Sequence, residues 1–265
     1  MVATNIAELL AQRPLGLVFD IDGTLSSIAP TPGEAQLYPG VAELLEQAKH
    51  HAHVAIITGR AVVDGARMVN VDGLTYIGTH GLEQADGLPP HAHIQLVPEA
   101  REYREAGEYL LDLVEKEAIP GSIVERKSVG GTIHYRLAPD PELARQSILS
   151  LLAEPAQRVH MQLSEGKRAI EVRVPLHINK GHALRSFVQR YKLQGVLFAG
   201  DDRTDIDALL EIERLRIEGV KGVGVAVHHV DTLPELLAHA DIVVQEVEGM
   251  VELLRKIVEE LEEAA

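Results

Sequence analysis

Short, wholly apolar runs alternate along this chain with stretches whose apolar positions recur every three or four residues. That alternation predicts a parallel sheet with helical crossovers, because strands buried on both faces read as continuous hydrophobic runs. Residues 15–21 (LGLVFDI) form the first such run. A helix is expected next, opened by Pro39 in the favoured first turn, with Val41, Leu44, Leu45 and Ala48 on its buried stripe. Residues 53–58 (HVAIIT) predict a second strand with a helix after it through Met68, and residues 75–78 (TYIG) a third strand. The same style resumes at 196–200 (VLFAG), 223–227 (VGVAV) and 241–244 (DIVV), and ends in a helix over 250–263.

The middle of the chain follows a different rule. Residues 99–118 carry a long amphipathic helix pattern. Residues 123–127 and 132–137 then alternate polar with apolar, joined by the turn-like Val129-Gly130-Gly131. A second helix is expected over 141–153, followed by alternating strands at 159–163 and 168–174 joined by Ser164-Glu165-Gly166-Lys167. An αββαββ block with half-exposed strands suits an antiparallel sheet with one open face. The expected organisation is an α/β core over 1–85 and 178–265 with an α+β domain inserted at 86–177. Asp86-Gly87-Leu88-Pro89-Pro90 and Pro175-Leu176-His177 are the expected linkers.

Four polar segments sit at ends of the core elements. Asp20 and Asp22, within Asp20-Ile21-Asp22-Gly23-Thr24, end the first run, at the strand end where open α/β sheets bind ligands. Spacing of two places both carboxylates on one side of an extended backbone, and two close carboxylates tend to divide into a nucleophile and an acid/base. A plain strand-ending turn explains the same residues equally well. Thr58-Gly59-Arg60 ends the second run, where a hydroxyl and N–H groups at a helix start suit a phosphoryl oxygen; an ordinary N-cap threonine is the simpler alternative. Lys180-Gly181 opens a helix over 180–191 behind Asn179 as N-cap. The helix dipole disfavours a cation there, so an anion beside Lys180 is expected. Asp201, Asp202 and Asp205 follow VLFAG, and three carboxylates in five residues repel unless a cation lies among them. Together these segments supply a carboxylate nucleophile, a second carboxylate, a hydroxyl, a cation and a Mg²⁺-binding cluster, the parts needed to move a phosphoryl group.

Composition narrows the partners. The 265 residues include 46% hydrophobic positions, so a sizeable core is expected, while aromatics are only 3% and tryptophan is absent, which leaves no base-stacking platform. A net charge of −15 argues against nucleic acid or an anionic membrane surface. Without cysteine there is no disulfide and no thiolate chemistry. The first twelve residues lack a signal-peptide pattern and no run approaches the ~20 apolar residues of a membrane span, so a cytoplasmic protein is expected; the acidic balance and the chain length fit a free-standing monomer. The histidines at 50, 51, 53, 91, 93, 228 and 229 lack carboxylates at metal-site spacing and are read as solvent-facing or structural.

Read as a set, the four segments resemble the haloacid dehalogenase (HAD) superfamily of phosphatases, whose four motifs they match in order. Further stretches resemble the trehalose-6-phosphate phosphatase family within it. These are Phe19 to Leu25 with Pro30 and Pro32, Gly78-Thr79-His80-Gly81-Leu82-Glu83, Glu125-Arg126-Lys127, His134-Tyr135-Arg136, Glu171-Val172-Arg173 and Asn179-Lys180-Gly181. The family usually has Asn where Thr79 stands, and Glu and Phe near Ile206 and Leu209. The resemblance implies a Rossmann-like HAD core with a C2-type cap as the insert. It implies Asp20 as the nucleophile that becomes phosphorylated and Asp22 as general acid/base. Mg²⁺ would be held by Asp20, the backbone carbonyl of Asp22 and Asp201, with Asp202 and Asp205 in support. Thr58 and Lys180 would hold phosphoryl oxygens, with Gly59, Arg60 and His80 also facing the substrate. In the insert, period two puts Glu125 with Lys127, His134 with Arg136, and Glu171 with Arg173 on a polar face, opposite Ile133, Tyr135, Leu137, Ile170, Val172 and Val174. Glu125, Lys127 and Glu171, then His134 and Arg136, are the expected sugar ligands. Other sugar phosphates (sucrose phosphate, mannosyl-3-phosphoglycerate, a hexose phosphate) stay open as substrates. Remoter alternatives are a phosphorylatable signalling module, in which the acidic pair would precede the acceptor, and a sensing domain without activity.

Overall fold

The structure is a computed structural model describing residues 6–28, 34–166 and 168–264. Pro30, Pro32 and Lys167 lie outside the described residues. The chain forms two compact units, one running to Gln95 and resuming at Ile178, the other spanning Leu96–His177.

In the first unit, α1 (Ile6–Leu10) leads into β1 (Leu15–Phe19), then α2 (Val41–Ala48), β2 (His53–Ile57), α3 (Val62–Val69), β3 (Thr75–Gly78), β4 (Glu83–Asp86) and β5 (Gln95–Leu96). The second unit holds α4 (Arg104–Glu117), β6 (Ile123–Arg126), β7 (Gly131–His134), α5 (Pro141–Arg158), β8 (Gln162–Gly166) and β9 (Ala169–Arg173). The first unit is completed by α6 (Lys180–Tyr191), β10 (Gly195–Gly200), α7 (Ile206–Ile217), β11 (Lys221–His228), α8 (Pro234–His239), β12 (Ile242–Gln245) and α9 (Glu246–Glu263).

The large sheet runs β12-β11-β10-β1-β2-β3-β4-β5. Pairings from β12 to β3 are parallel, and β4 is antiparallel to β3. The apolar runs are explained by burial on both faces. Leu15, Leu17 and Phe19 of β1 join α2, α3 and α9 in one core layer, while Val18 faces the other layer with α6 and α7. Strand β10 divides in the same way, with Leu197 and Ala199 in the first layer and Val196 and Phe198 in the second. The chain leaves β1 toward β2 and comes back to its other side with β10, so the strand order reverses beside β1. That switch point opens a crevice at the carboxyl ends of the strands.

Several boundaries differ from those the pattern predicts. Gly40, with φ 86°, caps α2, so the helix begins at Val41 and Pro39 lies outside it. Helix α3 starts at Val62, so Thr58-Gly59-Arg60 is a linking loop and not a helix start. Asp86 pairs with Thr75 at the end of β4, inside the sheet and not in a linker. Strands β4 and β5 and helix α1 had no predicted counterpart.

The second unit is a four-stranded antiparallel sheet, β6-β7-β9-β8, with α4 and α5 packed against it. Its element order is the predicted αββαββ, but the strands are shorter or shifted. A 3₁₀ segment, Pro98–Tyr103, precedes α4 where one continuous helix is expected. Helix α5 continues through Pro155 to Arg158, because Leu152 and Ala156 keep its buried stripe going past the proline. His160 then turns with φ 57°, which moves β8 to Gln162–Gly166 and away from the predicted 159–163. Strand β6 ends at Arg126, and the Lys127 N–H closes the turn onto the Gly130 carbonyl at 3.1 Å. Strand β7 ends at His134, so Arg136 is not on its polar face, and Leu137, 72% exposed, is not part of the apolar one.

Among the described residues, no helix is long and apolar enough to cross a membrane.

Phe198 is fully buried at the centre of the sheet, whereas Leu143 on α5 is 60% exposed. Phe198→Ala should cost about 3–5 kcal/mol of unfolding free energy in urea titrations. Leu143→Ala should change it by no more than about 0.5 kcal/mol.

Candidate active site

The register Phe19↔Ala199 and Phe19↔Ile56 brings the segments after β1, β2 and β10 to one end of the sheet. Asp20 is the first residue past β1, and its N–H donates to the Ala199 carbonyl at 2.9 Å. Its carboxylate is buried and accepts from Lys180 Nζ at 2.7 Å. The same ammonium donates to Asp205 Oδ1 at 2.7 Å. Asn179 caps α6 by accepting from the His182 N–H, which sets the first helical residue, Lys180, facing these carboxylates. The anion expected beside a lysine at a helix start is therefore supplied by the protein itself.

Asp205 uses both oxygens. Oδ1 meets Lys180, and Oδ2 accepts from the N–H groups of Asp201 and Asp202 at 3.1 and 3.0 Å. It thereby fixes the turn that carries Asp201. Asp202 accepts from the Arg203 N–H at 2.6 Å and completes a capping box with Asp205. Asp201 Oδ1 accepts from Thr24 Oγ1 at 3.3 Å. Gly23 allows this approach: its φ is +82°, and a Cβ there would collide with the Asp201 carboxylate.

Asp22 is held differently. Arg60 Nε donates to Oδ2 at 2.7 Å and Arg60 Nη2 to Oδ1 at 2.6 Å, a two-pronged fork that fixes the carboxylate's plane. Thr58 is buried beyond β2, and its Oγ1 accepts from the Arg60 N–H at 3.2 Å. The His80 N–H donates to the Thr58 carbonyl at 3.0 Å, and the His80 ring covers Gly59, where a Cβ would stand 2.7 Å from it.

Oxygens of Asp20, Asp201 and Asp205 lie within 4.8 Å of one another, a set able to hold a metal ion. Their electrostatics support the fit. Burial pushes Asp20 up to about 7, with Lys180 opposing the shift and Asp205 adding to it. Burial also pushes Asp201 up to about 9, helped by the charges of Asp20 and Asp205. Burial works against the Lys180 charge, but Asp20 and Asp205 outweigh it and hold the lysine above its usual range. Three buried carboxylates around one ammonium leave negative charge uncompensated, and an oxygen-ligating divalent cation answers that excess.

The residues singled out in the second unit form their own group. Glu125, Thr132, Glu171 and Ser164 stand opposite one another across β6, β7, β9 and β8, so they line one face in a row. His134 Nε2 lies 2.8 Å from Glu125 Oε2, and Ser164 Oγ donates to Glu171 Oε2 at 3.4 Å. Lys127 and Arg136 fall past the strand ends, so strand periodicity does not place them on this face. Thr132 and Ser164 escaped sequence reasoning because neither is charged; the strand register alone reveals them.

His229, read from the sequence only as solvent-facing or structural, reaches this end of the sheet too. Its ring is mostly buried, with Nε2 2.7 Å from the Gly23 carbonyl oxygen and Nδ1 2.6 Å from Glu246 Oε2. The available signal was its place just past β11, at the same end of the sheet as the aspartates.

A switch-point crevice lined by Asp20, Lys180, Asp201 and Asp205 is the setting of a HAD-like α/β fold, and the fold comparisons agree. A protein described as related to trehalose-6-phosphate phosphatase superposes with a TM-score of 0.75 at 23% identity, over 94% of this chain and 100% of that one. The C-terminal domain of trehalose-6-phosphate phosphatase from C. albicans gives 0.72 at 22% identity, over 97% and 98%. A Thermotoga maritima protein gives 0.63 at 16% identity, over 91% and 96%.

Residues 18–246 match the family model for trehalose-phosphatase, and the chain belongs to that family. Trehalose-phosphate phosphatase of Mycobacterium leprae is 30% identical over 242 residues, covering 84% of this chain and 53% of that protein. Its counterpart in Mycobacterium tuberculosis strain H37Rv is 30% identical over 235 residues, covering 86% and 58%. The chain thus spans about half the length of these curated relatives.

The raised carboxylates set a pH dependence. A carboxylate whose folded pKa exceeds its unfolded value of 3.8 favours folding fully only below that value, and loses the contribution as pH rises through the folded pKa. Metal-free protein in EDTA should therefore melt at progressively lower temperature between about pH 4 and about pH 9. A divalent cation held there would have to displace protons from Asp20 and Asp201, so added Mg²⁺ should raise the melting temperature more at pH 8.5 than at pH 6. Differential scanning calorimetry at several pH values checks both trends.

Proposed function

We propose that this chain is a Mg²⁺-dependent phosphatase that hydrolyses trehalose 6-phosphate to trehalose and phosphate. The observation that carries the reading is the buried Asp20 carboxylate, 2.7 Å from Lys180 and beside Asp201 and Asp205, in a chain of the trehalose-phosphatase family. Asp20 attacks phosphorus as the ester P–O bond breaks, forming an aspartyl phosphate. Asp22 gives a proton to the departing sugar oxygen. Water then attacks the phosphorus of the aspartyl phosphate, Asp22 takes its proton, and phosphate leaves with the Asp20 carboxylate restored.

Within this reading Lys180 compensates the charge of Asp20 and the phosphoryl oxygens, and Thr58 supplies a hydroxyl. Arg60, through its fork, aims Asp22. Asp20, Asp201 and the Asp22 backbone carbonyl would hold Mg²⁺. Asp205, whose two oxygens already have donors, would support them through Asp201, and Asp202 through its cap. When bound, the ion supplies positive charge against the phosphoryl oxygens. Glu125, Lys127 and Glu171, joined by His134 and Arg136, are assigned to sugar recognition; their mix of acceptors and donors suits a polyhydroxyl ligand. The assignment extends to Thr132 and Ser164 on the same row.

Phosphate release from trehalose 6-phosphate, sucrose phosphate, a hexose phosphate and mannosyl-3-phosphoglycerate, with Mg²⁺ and with EDTA, tests the reading. Turnover should be fastest on trehalose 6-phosphate, vanish in EDTA and fall to background in Asp20→Asn. Faster turnover of another ester would leave the core chemistry standing and overturn the sugar assignment. A folded wild-type protein without Mg²⁺-dependent turnover on any ester would overturn the proposal.

The insert residues give a separate test. Glu171→Ala should raise KM for trehalose 6-phosphate while leaving hydrolysis of p-nitrophenyl phosphate within about twofold, since a contact to the sugar alone contributes nothing to a substrate without one.

A further inference from the structure

The turn carrying Asp22 is built on a residue with no side chain to anchor it. Gly23 has φ +82°, in a region glycine enters freely, so nothing intrinsic holds this backbone in one arrangement. The N–H groups of Thr24, Leu25 and Ser26 donate to the Ile21 carbonyl at 3.1, 2.8 and 2.9 Å, and Gly23 itself is held on both sides. On one side of Gly23, its own N–H donates to the Ser26 carbonyl at 2.8 Å, fixing the peptide that contains the Asp22 carbonyl. On the other side, the Gly23 carbonyl oxygen lies 2.7 Å from His229 Nε2. A carbonyl oxygen only accepts, so Nε2 carries the hydrogen.

The ring is itself held. Glu246 Oε2 lies 2.6 Å from Nδ1, and Glu246 adopts φ 53°, a conformation rarely used by residues other than glycine, at the first position of α9. The His229 N–H also donates to Thr232 Oγ1 at 2.7 Å, which closes the loop after β11. His229 Nε2 is 4.0 Å from Asp201 Oδ2, so the ring bridges the turn after β1 and the carboxylate after β10.

We infer that His229 is a positioning residue: held by Glu246, it pins the Gly23 carbonyl and so fixes the turn that presents Asp22 and its backbone carbonyl beside Asp201. The inference rests on the proposed Mg²⁺-dependent chemistry for its catalytic consequence, but its effect on the cation site does not require turnover. Groups that orient metal ligands from behind typically alter affinity or activity by about 10–100-fold when removed.

The test compares wild type with His229→Leu, which removes the donor, and His229→Gln, whose amide N–H reaches toward the same carbonyl without engaging Glu246. The first readout is the midpoint of a Mg²⁺ titration followed by melting temperature, without substrate. The second is kcat and KM for phosphate release from trehalose 6-phosphate. His229→Leu should raise the Mg²⁺ midpoint and lower kcat by about tenfold each, with KM little changed, and His229→Gln should recover most of both. A folded His229→Leu that titrates like wild type overturns the inference, as does a His229→Gln no better than His229→Leu. Should His229→Leu fail to fold, Glu246→Ala, which only loosens the ring, decides: a raised Mg²⁺ midpoint supports the inference and a wild-type midpoint overturns it. Wild type that binds Mg²⁺ but releases no phosphate would overturn the proposed function, while the titration still judges His229.

Discussion

Everything at the strand ends is organised around one buried ammonium group. Lys180 Nζ stands 2.7 Å from both Asp20 and Asp205, and all three side chains are almost wholly out of water. Removing an ion from water costs several kcal/mol, so none of the three could occupy this place alone. Their mutual attraction in a poorly screened interior makes the arrangement tenable. The bridge also links elements distant in sequence. Asp20 belongs to the end of β1, Lys180 to the first turn of α6, and Asp205 to the turn before α7, which in turn holds the N–H groups of Asp201 and Asp202. The electrostatic cluster is therefore also the clamp that joins β1 to β10 at the crevice.

Its remaining negative charge gives the site its chemical character. One lysine does not neutralise three carboxylates; burial pushes Asp20 and Asp201 upward, and the neighbouring carboxylates add to the shift. On the proposed mechanism Asp20 must be ionised to attack phosphorus, and a cation held beside it would favour that form. Asp22 has its own partner in the Arg60 fork, which gives the two carboxylates of one short turn different surroundings.

How much of this was legible in the sequence follows from what each residue depends on. The central strands were legible because β1 and β10 bury residues toward both core layers and so appear as unbroken apolar runs. Asp20, Lys180 and Asp201 were legible because strand ends and helix starts are where charge is unusual. In the second unit the element order was readable, but the strand ends depended on backbone turns at His160 and Arg168, both at φ 57°, which carry no compositional mark. Helix α5 ran past Pro155 because packing of the following residues outweighed one missing hydrogen bond. His229 was legible only as solvent-facing or structural, because its partner is a backbone carbonyl 206 positions away and no local pattern reports such a contact.

The chain order within the large sheet bears on how the molecule comes into being on the ribosome. β1 is made early, and one of its two flanking strands is β10, so Asp20 awaits its lysine for 160 residues of synthesis. During that interval the entire Leu96–His177 unit, whose own strands and helices pair locally, emerges and has time to fold first. The apolar edge of β1 meanwhile stays unpaired, the kind of long-range closure that is slow and exposed to misassembly. Synthesis therefore supplies every element of the insert before β10 can close the crevice, and a polypeptide truncated before β10 would lack Asp201 and Asp205.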